Sequence, residues 1–395
     1  MKYRNFGKLE WKPSALGFGC MRLPLLDKDA SHVDEAEVIR MIRYAIDHGV
    51  NYIDTAAVYH RGNSERVLGK ALMDGYRQKV RLATKLSLFA VKSADEFDSF
   101  FNNQLERLQT DKIDFYLLHT LNSHHWKLVD DWKVIPWLEG KMAAGQIGDI
   151  GFSFHDEYDV FKEIVDAYDN WTLCQIQYNY MDVDIQAGQR GLEYAASKNL
   201  AVVVMEPIRG GMLAKKPPEP VAKVLGTSSV DYSQAEWALQ WVWNQPEVSV
   251  VLSGMSTMPQ VIENVTAAER SGPGKLTKDE LSFVDEVRRA YLGCSTIPCT
   301  KCNYCMPCPN GVEISAIFDI VNEATMYDEF PRAQRQYMGA GPYGLKVNRR
   351  ADKCQECEEC VAKCPQQIPI PDWLKEVHEK LFIKDFTPPP PPGIA

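Results

Sequence analysis

Eight of the eleven cysteines fall in two runs whose spacing suits metal chemistry. Cys299, Cys302, Cys305 and Cys308 stand three residues apart with Pro309 behind the last; Cys354, Cys357 and Cys360 are followed by Cys364 and Pro365. The second run matches the bacterial iron-sulfur pattern Cys-x2-Cys-x2-Cys-x3-Cys-Pro letter for letter, and the first is one residue short before its last cysteine. A triplet at this spacing turns tightly enough to offer three thiolates to one cubane, while the cysteine before proline points away and ligates the other cluster. The spacing therefore implies two [4Fe-4S] clusters, one held by Cys299, Cys302, Cys305 and Cys364 and the other by Cys354, Cys357, Cys360 and Cys308. All-cysteine zinc sites compete with this reading, because Cys-x2-Cys pairs also suit tetrahedral zinc. Triplets with a trailing Cys-Pro favour iron. Cys20, Cys174 and Cys294 read as buried thiols, with Cys294 near enough to stand in for Cys308.

Clusters need a scaffold, and the chain before them has a regular one. From about residue 16 to 270, short apolar runs alternate with longer amphipathic stretches. Strand candidates begin near Leu16, Val50, Val80, Ile113, Ile147, Leu173, Ala201 and Val248, and a helix candidate follows each. Eight such units are what a (β/α)8 TIM barrel requires. A doubly wound sheet is the alternative, but the first strand LGFGCM lacks the Gly-rich turn such a sheet uses for dinucleotides. Tyr3 to Pro13, with Gly7 near its middle, reads as a hairpin plugging the barrel bottom. Ser93 with Glu96 and Thr277 with Glu280 read as capping boxes. Lys215 to Pro220 reads as part of a long loop over the top face. The expected fold class is α/β: a TIM barrel over residues 1–275, a small, mainly helical ferredoxin-like domain over 276–385, and a Pro-rich tail at 386–395.

In a barrel, polar residues at the C-terminal strand ends are the catalytic candidates. Asp54 ends the second strand, Tyr59 follows in its loop, Lys85 ends the third strand and His119 the fourth. Singly, each has an ordinary structural reading as an ion pair, a loop residue or a core histidine. Together around one mouth they suit proton transfer: Asp54 holds Lys85 charged, the ammonium eases proton donation by the Tyr59 phenol, and His119 either orients a carbonyl or passes the proton. A phenol placed over a carbonyl carbon suits hydride transfer rather than hydrolysis. His124, His125, Trp126 and Trp132 follow on what reads as a long loop and form either an aromatic wall or packing, which favours a ring or sugar-like substrate only weakly.

The net charge of -9 with 25% charged residues describes an acidic protein without a basic block, which excludes a nucleic-acid binder by charge. No stretch reaches the ~18 apolar residues of a membrane helix, and the first residues have no apolar core suited to export. Cysteine usage points to a reducing, cytoplasmic compartment.

The stretches NYIDTAAVYHRGNSERVLGKAL, RLATKL, FYLLH, QIQYN and VVLSGM resemble those of the aldo-keto reductases over nearly all of residues 1–275, and IPCTKCNYCMPCPNGV resembles the signature of a branch with a C-terminal ferredoxin-like domain. The family's Asp, Tyr, Lys and His tetrad falls on Asp54, Tyr59, Lys85 and His119. The resemblance implies NAD(P)H lying across the barrel mouth and reduction of an aldehyde or ketone, or oxidation of an alcohol, with Tyr59 as general acid. It also implies Ser153 and Gln175 at the carboxamide, although Phe154 replaces the usual Asn and Met205 the usual stacking aromatic. The phosphate-binding segment falls on Gly254 to Asn264, with Glu263 and Asn264 toward the adenine. No lysine or arginine lies in that segment, which favours NAD(H) over NADP(H). Arg209 and Gly210, in the loop after the seventh strand, are candidates to contact the pyrophosphate, with a solvated surface arginine as the competing reading of Arg209.

A nicotinamide moves two electrons at once and an iron-sulfur cluster one, a mismatch a flavin would bridge; no motif assigns a flavin. Three readings remain: a carbonyl oxidoreductase whose clusters pass electrons to a ferredoxin or other redox partner, the same enzyme with structural clusters, or an electron-transfer or regulatory subunit with an inactive barrel. The intact tetrad argues against the third.

Overall fold

The computed structural model describes residues 1–27, 29–299, 301, 303–340 and 344–386. Cys302, the middle of the GAGPYG turn and the Pro-rich tail lie outside the described residues. The chain forms two compact units, one built from Met1–Ala214 and Tyr232–Leu281, the other from Lys215–Asp231 and the described residues from Ser282 onward.

In the first unit, β1 (Leu16–Gly19), β2 (Tyr52–Asp54), β3 (Arg81–Leu86), β4 (Ile113–Leu121), β5 (Ile147–Phe154), β6 (Leu173–Gln177), β7 (Ala201–Met205) and β8 (Val248–Ser253) form a closed parallel barrel in sequence order. Leu16 pairs with Val251 and Phe18 with Ser253 to close it. Because successive strand residues face opposite sides, one parity fills the interior and the other packs on the helices. Tyr52, Ala83, Phe115, Leu117, Leu173, Ala201, Val203, Val250 and Leu252 form the inner cluster, whereas Ile53, Leu82, Tyr116, Leu118, Cys174 and Val202 belong to the outer one. Continuing the inward parity to the C-terminal strand ends puts Asp54, Lys85, His119, Gln175 and Met205 at one mouth.

The opposite end is closed by the expected hairpin, whose antiparallel bridges join Tyr3 with Ser14 and Phe6 with Leu9. Phe6 is fully buried, and its ring lies 5.0 Å from Phe115. Gly7 takes φ +51°, and a Cβ there would lie 2.5 Å from the Asn199 carbonyl oxygen, so the turn needs glycine on both counts.

Three local expectations meet different outcomes. Thr277 and Glu280 form both bonds of a capping box, at 2.7 and 3.2 Å, ahead of the helix Lys278–Gly293. Ser93 does not cap: Glu96 turns its carboxylate to the Lys92 N–H instead, and a single 3-10 turn precedes the helix Phe97–Leu108. The segment bearing His124, His125 and Trp126 is a helix, Ser123–Asp131, started by Asn122, whose side chain accepts the His125 N–H at 2.8 Å. Trp132 is its C-cap.

The second unit is helical, with Glu219–Leu225, Ile314–Tyr327, Phe330–Tyr337, Glu359–Lys363 and Ile370–Leu381. The first of these interrupts the Pro-rich stretch read as loop, with Pro220 in its first turn, where a missing N–H costs nothing. Ile317, Phe318, Val321, Tyr337, Leu374 and Val377 form a small core. Buried Asn322 brackets Ile297 with two bonds, 2.9 Å to its N–H and 2.8 Å to its carbonyl, and so pins the chain two residues before Cys299.

Candidate functional site

Lys85 is fully buried, and its ammonium donates to both Asp54 oxygens, at 2.7 and 2.8 Å, and to the Thr55 carbonyl at 2.7 Å. Burial opposes its charge, but the Asp54 carboxylate and the Tyr59 phenol more than offset this and hold its pKa above the ordinary value. The ammonium lies 5.1 Å from the centre of the Tyr59 ring. Burial pushes the Tyr59 phenol above its usual range and Lys85 only partly pulls it back, so Tyr59 holds its proton at neutral pH. His119 presents its ring edge-on to Tyr59, 5.9 Å between centres and 80° between planes. Burial, then Lys85, His155 and His125, push His119 well below the ordinary histidine range, so its imidazole is neutral. The four side chains read from the strand ends are thus brought together.

Support for Lys85 comes from residues that the spacing of strand ends did not single out. Buried Glu65 accepts Thr84 Oγ1 at 2.7 Å, Gln104 Nε2 at 2.8 Å and Arg107 Nε at 2.7 Å. Gln104 also donates to the Lys85 carbonyl at 3.1 Å and accepts the Tyr116 hydroxyl at 2.6 Å. His60, next to Tyr59, takes the Leu23 N–H on Nε2 and gives its Nδ1 proton to the Ala30 carbonyl, which ties the loop after β1 beside the tyrosine. In β4 the pairing with β5 slips between Leu118 and Leu121, with Thr120, the residue after His119, at φ +56°. Ser87 Oγ lies 2.6 Å from His119 Nδ1, and Phe89 lies 5.5 Å from the His119 ring.

The residues expected at a nicotinamide are also at this mouth. Ser153 is buried and accepts the Thr120 N–H at 2.8 Å. Gln175 donates to the Met205 sulfur at 3.8 Å, while its buried Oε1 has no partner among the described residues. An unpartnered amide oxygen beside a serine hydroxyl fits the donor and acceptor of a carboxamide. Arg209 donates through Nε to buried Asp182 at 3.0 Å. Gly210 takes φ +64°, with the Arg22 guanidinium and Glu206 carboxylate crowding the place of a Cβ. Asn264 is buried and donates to Ser253 at 3.0 Å, and Glu263 accepts the Ser233 hydroxyl at 2.5 Å. Arg22, which the sequence reading missed, packs its stem on Gly254 and pairs with Glu206 at 3.6 Å. Its guanidinium is turned to Glu206 and Gly210, so a cation from the loop after β1 stands beside the loop after β7, a juxtaposition no local pattern in the sequence announces.

In the second unit, Cys299, Cys305 and Cys364 line one cavity with Ile314, Phe318, Ile368 and Ile370. Cys308 instead lies beside the second run: burial, then the neighbouring sulfurs of Cys354, Cys308 and Cys357, push the Cys360 thiol up to about 11. Each run's last cysteine is thus grouped with the other run. All-thiol groups around a cavity fit an iron-sulfur cubane, although among the described residues no three donors converge on a single-ion site. Cys294 turns away, donating to the Ala290 carbonyl of its own helix at 3.3 Å.

Against known proteins, the profile of the aldo/keto reductase family matches residues 15–289 and that of a 4Fe-4S dicluster domain matches residues 298–368. An uncharacterized oxidoreductase of Bacillus subtilis, YqkF, is 26% identical over 71% of this chain and 94% of its own length. L-galactose dehydrogenase of Arabidopsis thaliana is 28% identical over 73% of this chain and 94% of its own. Among solved structures, the holo form of aldo-keto reductase AKR11C1 from Bacillus halodurans superposes with a TM-score of 0.61 at 29% identity, covering 73% of this chain and 96% of that one.

Proposed function

The chain belongs to the aldo/keto reductase family and carries a C-terminal 4Fe-4S domain, and from that we propose that it interconverts a small carbonyl and its alcohol with NAD(P)(H), using Tyr59 as the acid and base. The observation that carries this reading is the Lys85 ammonium, bracketed by Asp54 at 2.7 and 2.8 Å and 5.1 Å from the Tyr59 ring. When bound, the reduced nicotinamide supplies the hydride to the carbonyl carbon. Tyr59 gives its proton to the carbonyl oxygen as negative charge grows there, and Lys85 stabilises the phenolate left behind. Asp54 keeps Lys85 charged and in place. His119, neutral, orients the carbonyl oxygen beside Tyr59. In the oxidative direction the same groups act in reverse.

Gln175 and Ser153 are the residues we assign to the carboxamide, with Met205 packing on the ring by soft contact. Arg209, Gly210, Gly254, Glu263 and Asn264 line the remaining cofactor path in this reading. Gly254 to Asn264 carries no lysine or arginine, but Arg22 lies alongside with its stem on Gly254 and its guanidinium toward Glu206, so the coenzyme in this reading is NAD(P)(H). The two cysteine groupings support two [4Fe-4S] clusters, which we assign to electron exchange with a protein redox partner. Purified, iron-loaded protein should reduce 4-nitrobenzaldehyde with NADH or NADPH. Tyr59→Phe should abolish that turnover with iron content and circular dichroism unchanged; full activity in the variant would defeat the mechanism.

A further inference from the structure

Beyond the four mouth residues, we infer that Ser87 is a positioning residue: its hydroxyl donates to Nδ1 of His119 and fixes the imidazole in the tautomer whose Nε2 carries the proton. The inference rests on the reading of His119 as the group that orients the substrate carbonyl.

The pairing follows from strand register. Lys85 pairs with Leu117 and Leu86 with Leu118 across β3 and β4, and the chain stays extended at Ser87, with φ −90° and ψ 95°. Ser87 therefore comes opposite His119, both on the inward side. Ser87 is fully buried and His119 is 7% exposed, and 2.6 Å separates Oγ from Nδ1.

A neutral imidazole carries one proton, on one of two nitrogens. With the proton on Nδ1, the serine would accept it, and its own buried hydroxyl hydrogen would need another acceptor. Among the described residues Ser87 Oγ has His119 Nδ1 as its one hydrogen-bond partner. Donation by the serine satisfies both groups at once and leaves the proton on Nε2. The groups whose charge His119 feels are Lys85 from β3, His125 from the helix after β4 and His155 from the end of β5; all are cationic when protonated and none would draw a second proton to the ring. The nitrogen not turned to Ser87 is then an N–H donor, the form needed to hold a carbonyl oxygen. With the opposite tautomer, a lone pair would face that oxygen and repel it.

The test uses full-length, iron-loaded protein, as parent, Ser87→Ala and Ser87→Thr. Long-range proton–nitrogen spectra of histidine-labelled protein, with His119 assigned by its loss in His119→Gln, report the tautomer without turnover. In the parent we expect a pyridine-type Nδ1 and a pyrrole-type Nε2; the reverse would overturn the inference. In Ser87→Ala both tautomers should appear, and kcat for 4-nitrobenzaldehyde should fall about tenfold, with NAD(P)H affinity kept within about twofold. Ser87→Thr, which keeps the hydroxyl, should restore the parental tautomer and most of kcat. Equal loss in Ala and Thr with the parental tautomer in both would make Ser87 a packing residue and reject the inference. A parent showing the expected tautomer but no carbonyl turnover would instead reject the proposed reaction, so the two failures can be told apart.

Discussion

The Lys85 ammonium sits astride the Asp54 carboxylate, 2.7 Å from one oxygen and 2.8 Å from the other, in a place where neither side chain is more than 3% exposed. Removing one partner from such a buried pair strands the other charge, at a typical cost of about 3–5 kcal/mol, whereas replacing both by apolar groups costs far less. Lys85→Met and Asp54→Leu should each lower barrel stability by about that much, and the double variant should recover most of it while remaining inactive. Urea unfolding followed by tryptophan fluorescence checks this, since all tryptophans but Trp373 lie in the first unit. An additive double variant would show that the two charges do not depend on each other.

The same pair sets an alkaline limit. Because the Lys85 pKa is raised in the folded protein, its contribution is complete below the ordinary lysine value of about 10.4 and is lost as pH rises through the higher folded value. Urea midpoints measured from pH 9 upward should fall more steeply in the parent than in Lys85→Met. Parallel profiles would remove Lys85 as the cause.

At the acid end the histidines act. His119 is pushed well below 6.5 and His155 to about 4, burial being the first cause in both. The unfolded chain binds protons at these positions below about pH 6.5 while the folded chain does not, so stability falls as pH falls through that range. His155→Gln should flatten the loss between pH 6.5 and 4 in urea titrations. Turnover limited by chemistry should show no inflection near 6.5 from His119, as an ordinary histidine would give.

Gln175 offers a separation of stability from binding. Its buried Oε1 has no partner among the described residues, so Gln175→Leu should leave the cofactor-free barrel as stable as the parent or more so. The same change should weaken NAD(P)H binding about five- to thirtyfold, the loss of one or two neutral hydrogen bonds. Calorimetric titration and thermal unfolding read the two effects. Unaltered affinity would remove Gln175 from the cofactor site.

The crossed grouping of cysteines predicts which pairs of substitutions add. If Cys308 serves the cluster of Cys354, Cys357 and Cys360, then Cys308→Ser with Cys354→Ser should lose no more iron than Cys354→Ser alone. Cys364→Ser with Cys354→Ser should lose nearly all of it. Iron assay on anaerobically purified protein decides, and the reverse pattern would return each cysteine to its own run.

The barrel was legible because its signal is periodic. Leu173–Gln177, Ala201–Met205 and the helix Gln234–Trp243 lie where the alternation of apolar residues puts them. Asp54, Lys85 and His119 were legible for the same reason, each ending a recognisable strand. What stayed hidden depends on contacts between distant residues or on competition for one group. Glu96 looked like half of a capping box, yet its carboxylate serves Lys92. The helix carrying His124 and His125 is nine residues long, buries Val129 alone among them, and has the aspect of a loop in the sequence. Arg22 lies more than 180 residues from Gly210 and Gly254, and no local pattern links them.

The stretch Lys215–Asp231 is coded between β7 and the helix Gln234–Trp243, yet it belongs to the same compact unit as the cysteine runs. A gene truncated after residue 281 would therefore still encode a fragment of that unit, stranded in the middle of the barrel's reading frame. By the same logic, joining a cysteine-rich module to the end of a reductase gene describes only half of how this chain is put together. The other half is the internal segment Lys215–Asp231, which packs in the same compact unit as the module, where Lys215 pairs with Glu329.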